Sequence, residues 1–207
     1  MKQKIRILIA DDHKIVRVGL SAMIAHENDM VVVGEAADGQ QALDCAARLK
    51  PDVVSMDLMM PVMDGEEATV ELRKRHPDVK IIILTSYSTA DGIANAIRAG
   101  ATGALLKTTD DSILFSAIRT VAAGQKFISE GISQLLATDP PVQKLSPRQL
   151  EVLHSMMRGL TNKEIALQLG IGEARVEEHV TAIFAKINAS NRAEAVGIAM
   201  RKNLLKI

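Results

Sequence analysis

Five short runs rich in Val, Ile and Leu recur through the first 107 residues: KIRILIA (4–10), MVVVGEA (30–36), DVVSMD (52–57), KIIILTS (80–86) and TGALLK (102–107). Near-continuous apolar runs of this length suit strands covered on both faces. Helix-length segments lie between and after them, at about 13–26, 38–49, 64–75, 89–99 and 110–124. Strand and helix in strict alternation predict an α/β fold, a doubly wound, five-stranded parallel sheet with right-handed crossovers. Asp64 with Glu67 forms a capping box for the third helix, and Gly100 and Gly124 are suited to stop helices.

The texture then changes. GQKFISEGISQLLATDPPVQK (124–144) has no strand alternation and contains a Pro-Pro pair, so it reads as a linker with one short helical piece around 130–137. From Leu145 the chain is helical throughout. Ser146, Pro147 and Gln149 open one helix, and Thr161 with Glu164 opens the next. Gly159 and Gly170 precede the turns. Four short helices are predicted, at about 147–158, 162–169, 173–187 and 191–202. The expected organisation is a domain over 1–124, a linker over 125–143 and a small all-α four-helix domain over 144–207.

Charge separates the same two parts. Residues 1–138 carry 15 Lys+Arg against 18 Asp+Glu, and the remainder carries 10 against 7. A mildly basic C-terminal part permits a nucleic-acid partner without requiring one. No apolar run approaches the roughly 20 residues of a membrane helix, and the first run stops at two aspartates, unlike a secretory signal. Cys45, the single cysteine, has no partner for a disulfide or zinc site and reads as a buried small residue. A cytoplasmic protein with no membrane association is expected.

Ligands of open parallel sheets gather beyond the carboxyl ends of the strands. There this chain places Asp11 and Asp12 after the first strand, Asp57 after the third, Thr85 and Ser86 after the fourth, and Lys107 after the fifth. Carboxylates brought together repel unless a cation neutralises them, and hard oxygen donors favour Mg²⁺. A hydroxyl and an ammonium opposite the ion suit phosphoryl oxygens. Acids at strand ends also serve as N-caps or solvated loop residues, but three acids joined by Thr85 and Lys107 at one edge exceed that explanation. His13 reads as first-turn helix surface.

IADDHKIVRVGL, DVVSMDLMMPVMDGEEA, IIILTS and AGATGALLK, in this order, resemble the receiver domain of two-component response regulators, a flavodoxin-like fold, over about 4–124. The resemblance implies that Asp57 accepts a phosphoryl group from the phosphohistidine of a sensor histidine kinase. It implies Mg²⁺ held by Asp11, Asp12, Asp57 and the carbonyl of Met59, with Thr85 and Lys107 contacting the phosphoryl group and moving when it arrives. Receivers often carry Tyr or Phe three residues before the lysine. Here that position is Ala104, and Tyr87 is the nearby aromatic that could substitute.

Residues 145–203 resemble the LuxR-type helix-turn-helix output domain joined to receivers in the NarL/FixJ group, most specifically in LTNKEIALQLGI and the V-x-x-H and I-x-x-K-I frameworks. This resemblance implies double-stranded promoter DNA as partner, with the helix from about 173 in the major groove and Thr161, Asn162 and Lys163 near phosphates. Val176, Val180, Ile183 and Ile187 form its inward stripe. Its outward face offers Arg175, Glu178, Thr181, Ala182 and Lys186 as DNA contacts. That face is unusual, because Arg175-Val176-Glu177 stands where the family pattern has Thr-Val-Lys. Glu173 favours the helix dipole, while Glu178 points outward and can accept from cytosine N4. A missing lysine weakens phosphate attraction per subunit, so a homodimer on paired half-sites is expected.

The reading is a DNA-binding transcriptional response regulator, with no enzymatic activity beyond accepting a phosphoryl group. The alternative is a divergent receiver-output protein acting through a protein partner, or with phosphorylation-independent output. A small Mg²⁺-dependent phosphatase would share the carboxylates, but position 59 is Met where such enzymes need a second Asp.

Overall fold

The computed structural model describes residues 4–86, 90–202 and 204–205. Tyr87 lies outside them. Two compact units divide the chain, Met1–Pro140 and Pro141–Ile207, and the break falls within the segment read as linker.

In the first unit, strands β1 (Ile5–Ala10), β2 (Met30–Ala36), β3 (Val53–Met56), β4 (Lys80–Thr85), β5 (Gly103–Leu106) and β6 (Phe127–Ile128) form one sheet in the order β2-β1-β3-β4-β5-β6. Every pairing is parallel. Helices α1 (Lys14–Ala25), α2 (Gly39–Leu49), α3 (Gly65–Arg75), α4 (Ala90–Ala99), α5 (Asp111–Ala122) and α6 (Glu130–Thr138) belong to the same unit. The apolar runs are continuous because both faces of the sheet are covered. Leu8, Ala10, Val54, Met56, Ile81 and Ile83 enter one core cluster. Their alternate neighbours Ile7, Ile9, Val53, Ile82 and Leu84 enter the other.

The sheet has six strands where sequence periodicity predicts five. The added strand is two residues long, too short for any alternation to register. It is made by β5: Phe127 N donates to Thr102 O at 3.0 Å and Ser129 N to Ala104 O at 3.0 Å. Ser129 then caps α6, whose Ile132 is fully buried in the first cluster beside Ala104.

In the second unit, α7 (Pro147–Met157), α8 (Asn162–Leu169), α9 (Glu173–Ile187) and α10 (Arg192–Arg201) close around Val152, Leu153, Ile165, Val176, Ile183 and Ile187. The capping boxes at Asp64, Ser146 and Thr161 all form. Among the described residues no helix is long and apolar enough to cross a membrane.

Val62 adopts φ +67° in the β3–α3 loop, and Met63 N donates to Pro61 O at 2.7 Å, closing a γ-turn. Left-handed backbone in a β-branched residue stores about 1–3 kcal/mol. The Val62 side chain is 86% exposed, so little packing offsets that strain. Val62→Gly therefore stabilises the protein by about 1 kcal/mol, the relieved strain exceeding glycine's extra unfolded-state entropy. Equal or lower urea midpoints for the variant would contradict this.

Candidate functional site

Asp11 and Asp57 are carried out of the core by β1 and β3, neighbours in the sheet, and both are buried, with 2% and 5% of their surface exposed. Asp57 N donates to Ala10 O at 2.8 Å, locking the two strand ends together. Lys107, one residue past β5, reaches across β4 and donates to Asp11 Oδ2 at 2.6 Å and Asp57 Oδ2 at 2.7 Å. Its backbone N–H binds Thr85 O at 2.8 Å, and Thr85 is itself buried at the end of β4. Asp57 Oδ1 accepts the Leu58 N–H at 2.7 Å.

Burial is the largest influence on the Lys107 ammonium and disfavours its charge. The hydrogen bonds and charges of Asp11 and Asp57 outweigh it and hold the pKa above the ordinary lysine range. Asp12 lies outside the core, with its carboxylate 2.7 Å from His13 Nδ1. One ligand atom from each of Asp11, Asp12, His13 and Asp57 falls within 4.8 Å of the others. Three carboxylates against one ammonium leave two negative charges, which together with oxygen donors suit a hard divalent cation. Met59, two residues beyond Asp57, has an exposed side chain.

Sequence reasoning missed two members of this edge. His13 sits in the ligand cluster, and its backbone N–H binds Asp11 Oδ1 at 2.9 Å. Arg17, in the second turn of α1, donates to Asp11 O at 2.6 Å and Asp12 O at 3.3 Å and pairs with Glu35 at 3.2 Å. Arg17 thus fastens the acidic loop to β2. Its position four residues past His13 puts it on the same side of the helix, the one available signal.

In the second unit α8 and α9 are joined by Gly170-Ile171-Gly172, with Gly170 at φ +64°, the short left-handed turn of a helix-turn-helix. Val176, Ile183 and Ile187 are buried as the stripe predicts, while Val180 is half-buried. Lys163, Arg175, Glu177, Glu178 and Thr181 are exposed, and Asn162 and Ala182 are half-buried. Two predicted DNA contacts are engaged internally. The Thr161 hydroxyl accepts from Glu164 N, while the Thr161 backbone N–H at 2.7 Å and then its hydroxyl at 2.8 Å donate to the Glu164 carboxylate and hold that acid below its usual range. Lys186 donates to Gln149 Oε1 at 2.8 Å and Lys144 O at 3.1 Å, tying α9 to the start of α7. Arg175 and Glu178, one turn apart, are ion-paired.

Residues 7–119 match the response regulator receiver domain, and residues 143–199 match the luxR family of bacterial regulatory proteins. The transcriptional regulatory protein LiaR of Bacillus subtilis is 39% identical, with 97% of this chain and 99% of LiaR aligned. RcsB from Salmonella enterica serovar Typhimurium, solved bound to promoter P1flhDC in the presence of phosphomimetic BeF3−, aligns at TM-score 0.70 and 26% identity over 95% of this chain and 98% of its own. A structure of two RcsB dimers bound to two parallel DNAs aligns at TM-score 0.69 and 25% identity, covering 97% and 99%. The chain belongs to the response regulators, and within them to the DNA-binding transcriptional regulators whose receiver is joined to a luxR-family domain. It is a regulator rather than an enzyme.

Proposed function

We propose that this response regulator is phosphorylated on Asp57 by a sensor histidine kinase and, so modified, dimerises and binds promoter DNA. The observation that carries the reading is Lys107 bridging Asp11 and Asp57 at a strand edge that also offers Asp12 and Thr85. An oxygen of the Asp57 carboxylate attacks phosphorus as the P–N bond of the donor phosphohistidine breaks, and the imidazole leaves. Lys107 exchanges a carboxylate oxygen for a phosphoryl oxygen, and the Thr85 hydroxyl takes another. Asp11, Asp12, Asp57 and the Met59 carbonyl would hold Mg²⁺, which supplies charge neutralisation on the transferred phosphoryl oxygens.

The receiver role is assigned to residues 1–124 and the DNA-binding role to 144–207; of the segment 125–143 read as linker, β6 and α6 pack onto the receiver and the remainder joins the two units. Because Lys107 N is bonded to Thr85 O and β5 carries β6 and α6, movement of Lys107 reaches the segment entering the second unit. On that unit Thr161, Asn162 and Lys163 serve the phosphates. Arg175, Glu178, Thr181, Ala182 and Lys186 form the groove-facing set, in which Lys186 must leave Gln149 to take part. RcsB dimers on DNA support the homodimer.

The test combines two measurements on wild type and Asp57→Ala. With Mg²⁺ and a small phosphoramidate donor, wild type gains the mass of one phosphoryl group and Asp57→Ala gains none. Genome-wide binding then shows sequence-specific peaks that weaken in the variant. Equal phosphorylation of both proteins would sink the acceptor assignment, and absence of specific peaks in both would point to a protein partner instead.

A further inference from the structure

We infer that Arg175 and Glu178 act as one reading unit on α9, in which Arg175 recognises a guanine and Glu178 positions it. The inference rests on the DNA-binding reading of this helix. Arg175 is the sole basic residue among the exposed positions of α9, against Glu173, Glu177 and Glu178. Its guanidinium is ion-paired with Glu178 across one helical turn, and the two side chains are 63% and 62% exposed. Neither is buried in the fold, so both groups of the pair are presented on the open surface of the helix.

An arginine facing DNA has phosphates as well as base edges within reach, and a phosphate contact is blind to sequence. Glu178 opposes that in two ways. Its charge repels phosphates, and its carboxylate occupies Nη1, holding the planar guanidinium at a set angle. The other donors of the fork remain for the paired acceptors O6 and N7 of guanine. The neutral pair contributes little counterion release, so this contact trades general affinity for discrimination. Lys186, the other cation of the helix face, is bonded to Gln149 and Lys144 O near the opposite end of α9 from Arg175.

The test is selection from a randomised duplex DNA library by the full-length protein and by Arg175→Ala, Glu178→Ala and Glu178→Gln. Wild type enriches guanine at one fixed position of each half-site by about tenfold or more. Arg175→Ala loses that enrichment and leaves other positions unchanged. Glu178→Ala binds total DNA more tightly at low salt yet loses most of the preference. Glu178→Gln, which still accepts a hydrogen bond from the guanidinium, keeps it. A wild-type motif untouched by Arg175→Ala overturns the unit while leaving DNA reading intact. So does full preference in Glu178→Ala, or equal loss in Glu178→Ala and Glu178→Gln. No motif in wild type overturns both the unit and the DNA-binding reading.

Discussion

Lys107→Met destabilises the protein by about 3 kcal/mol in the presence of a chelator, measured as a drop in unfolding free energy from urea titration. The side chain is 11% exposed, and the carboxylates it bridges, Asp11 and Asp57, are 3% and 6% exposed. Removing the ammonium leaves two buried anions facing each other with no cation between them. Mg²⁺ held by this cluster, as proposed, would compensate in proportion to its binding, by about 2.7 kcal/mol at a hundredfold excess over its dissociation constant. That stabilisation is larger in Lys107→Met than in wild type, because in wild type the ammonium already neutralises part of the cluster. The pH dependence has a definite sign. The folded-state Lys107 pKa is raised above its ordinary value of about 10.4, so its contribution is complete below that value and is lost as pH rises through the folded-state pKa. Wild type loses this increment in alkaline solution and the variant has none to lose. Equal stability of the two proteins in chelator at neutral pH would show that the bridge is not what balances the acids.

Gly65→Ala is expected to cost about 3 kcal/mol or more and to abolish uptake of the phosphoryl group. A Cβ on Gly65 would lie 2.1 Å from Asp57 O and 2.9 Å from Leu58 Cα. Both are backbone atoms of the segment that places Asp57, and Gly65 N is bonded to Leu58 O at 3.0 Å. Relief therefore requires the start of α3 to separate from the end of β3, which moves Asp57 relative to Asp11 and Lys107. Alanine's better helix propensity recovers only about 1 kcal/mol. Thermal unfolding and mass measurement after treatment with a phosphoramidate are the paired readouts. Wild-type stability with full phosphoryl uptake would show that the β3–α3 loop absorbs the extra methyl group.

Much of this molecule was legible before its structure, for reasons that particular residues make clear. The strand runs could be read because alternate residues of β1, β3 and β4 feed two separate cores, which makes the pattern both long and unmistakably apolar. The helix starts at Asp64, Ser146 and Thr161 could be read because a capping box is complete within four residues. The acid edge could be read because strand ends in a parallel sheet share one side by topology.

What escaped depends on which backbone and side-chain groups the folded chain brings within reach. β6 exists because Thr102 and Ala104 present carbonyls to it, not because Phe127-Ile128 carries a strand signal. Arg17 matters through the carbonyls of Asp11 and Asp12, and no residue pattern announces which carbonyl a guanidinium will find. Lys186 is directed away from its expected contact by Gln149, 37 residues earlier.

The sequence by itself therefore determined the layers, the polarity of the acidic edge and the inward stripe of α9, since each follows from local periodicity and connection rules. Only the tertiary structure decided how the charges are spent. It put Lys107 between two acids from separate strands and Lys186 onto α7. A charge takes whichever partner the packed backbone brings within about 3 Å, and that distance is set by the whole fold rather than by spacing along the chain.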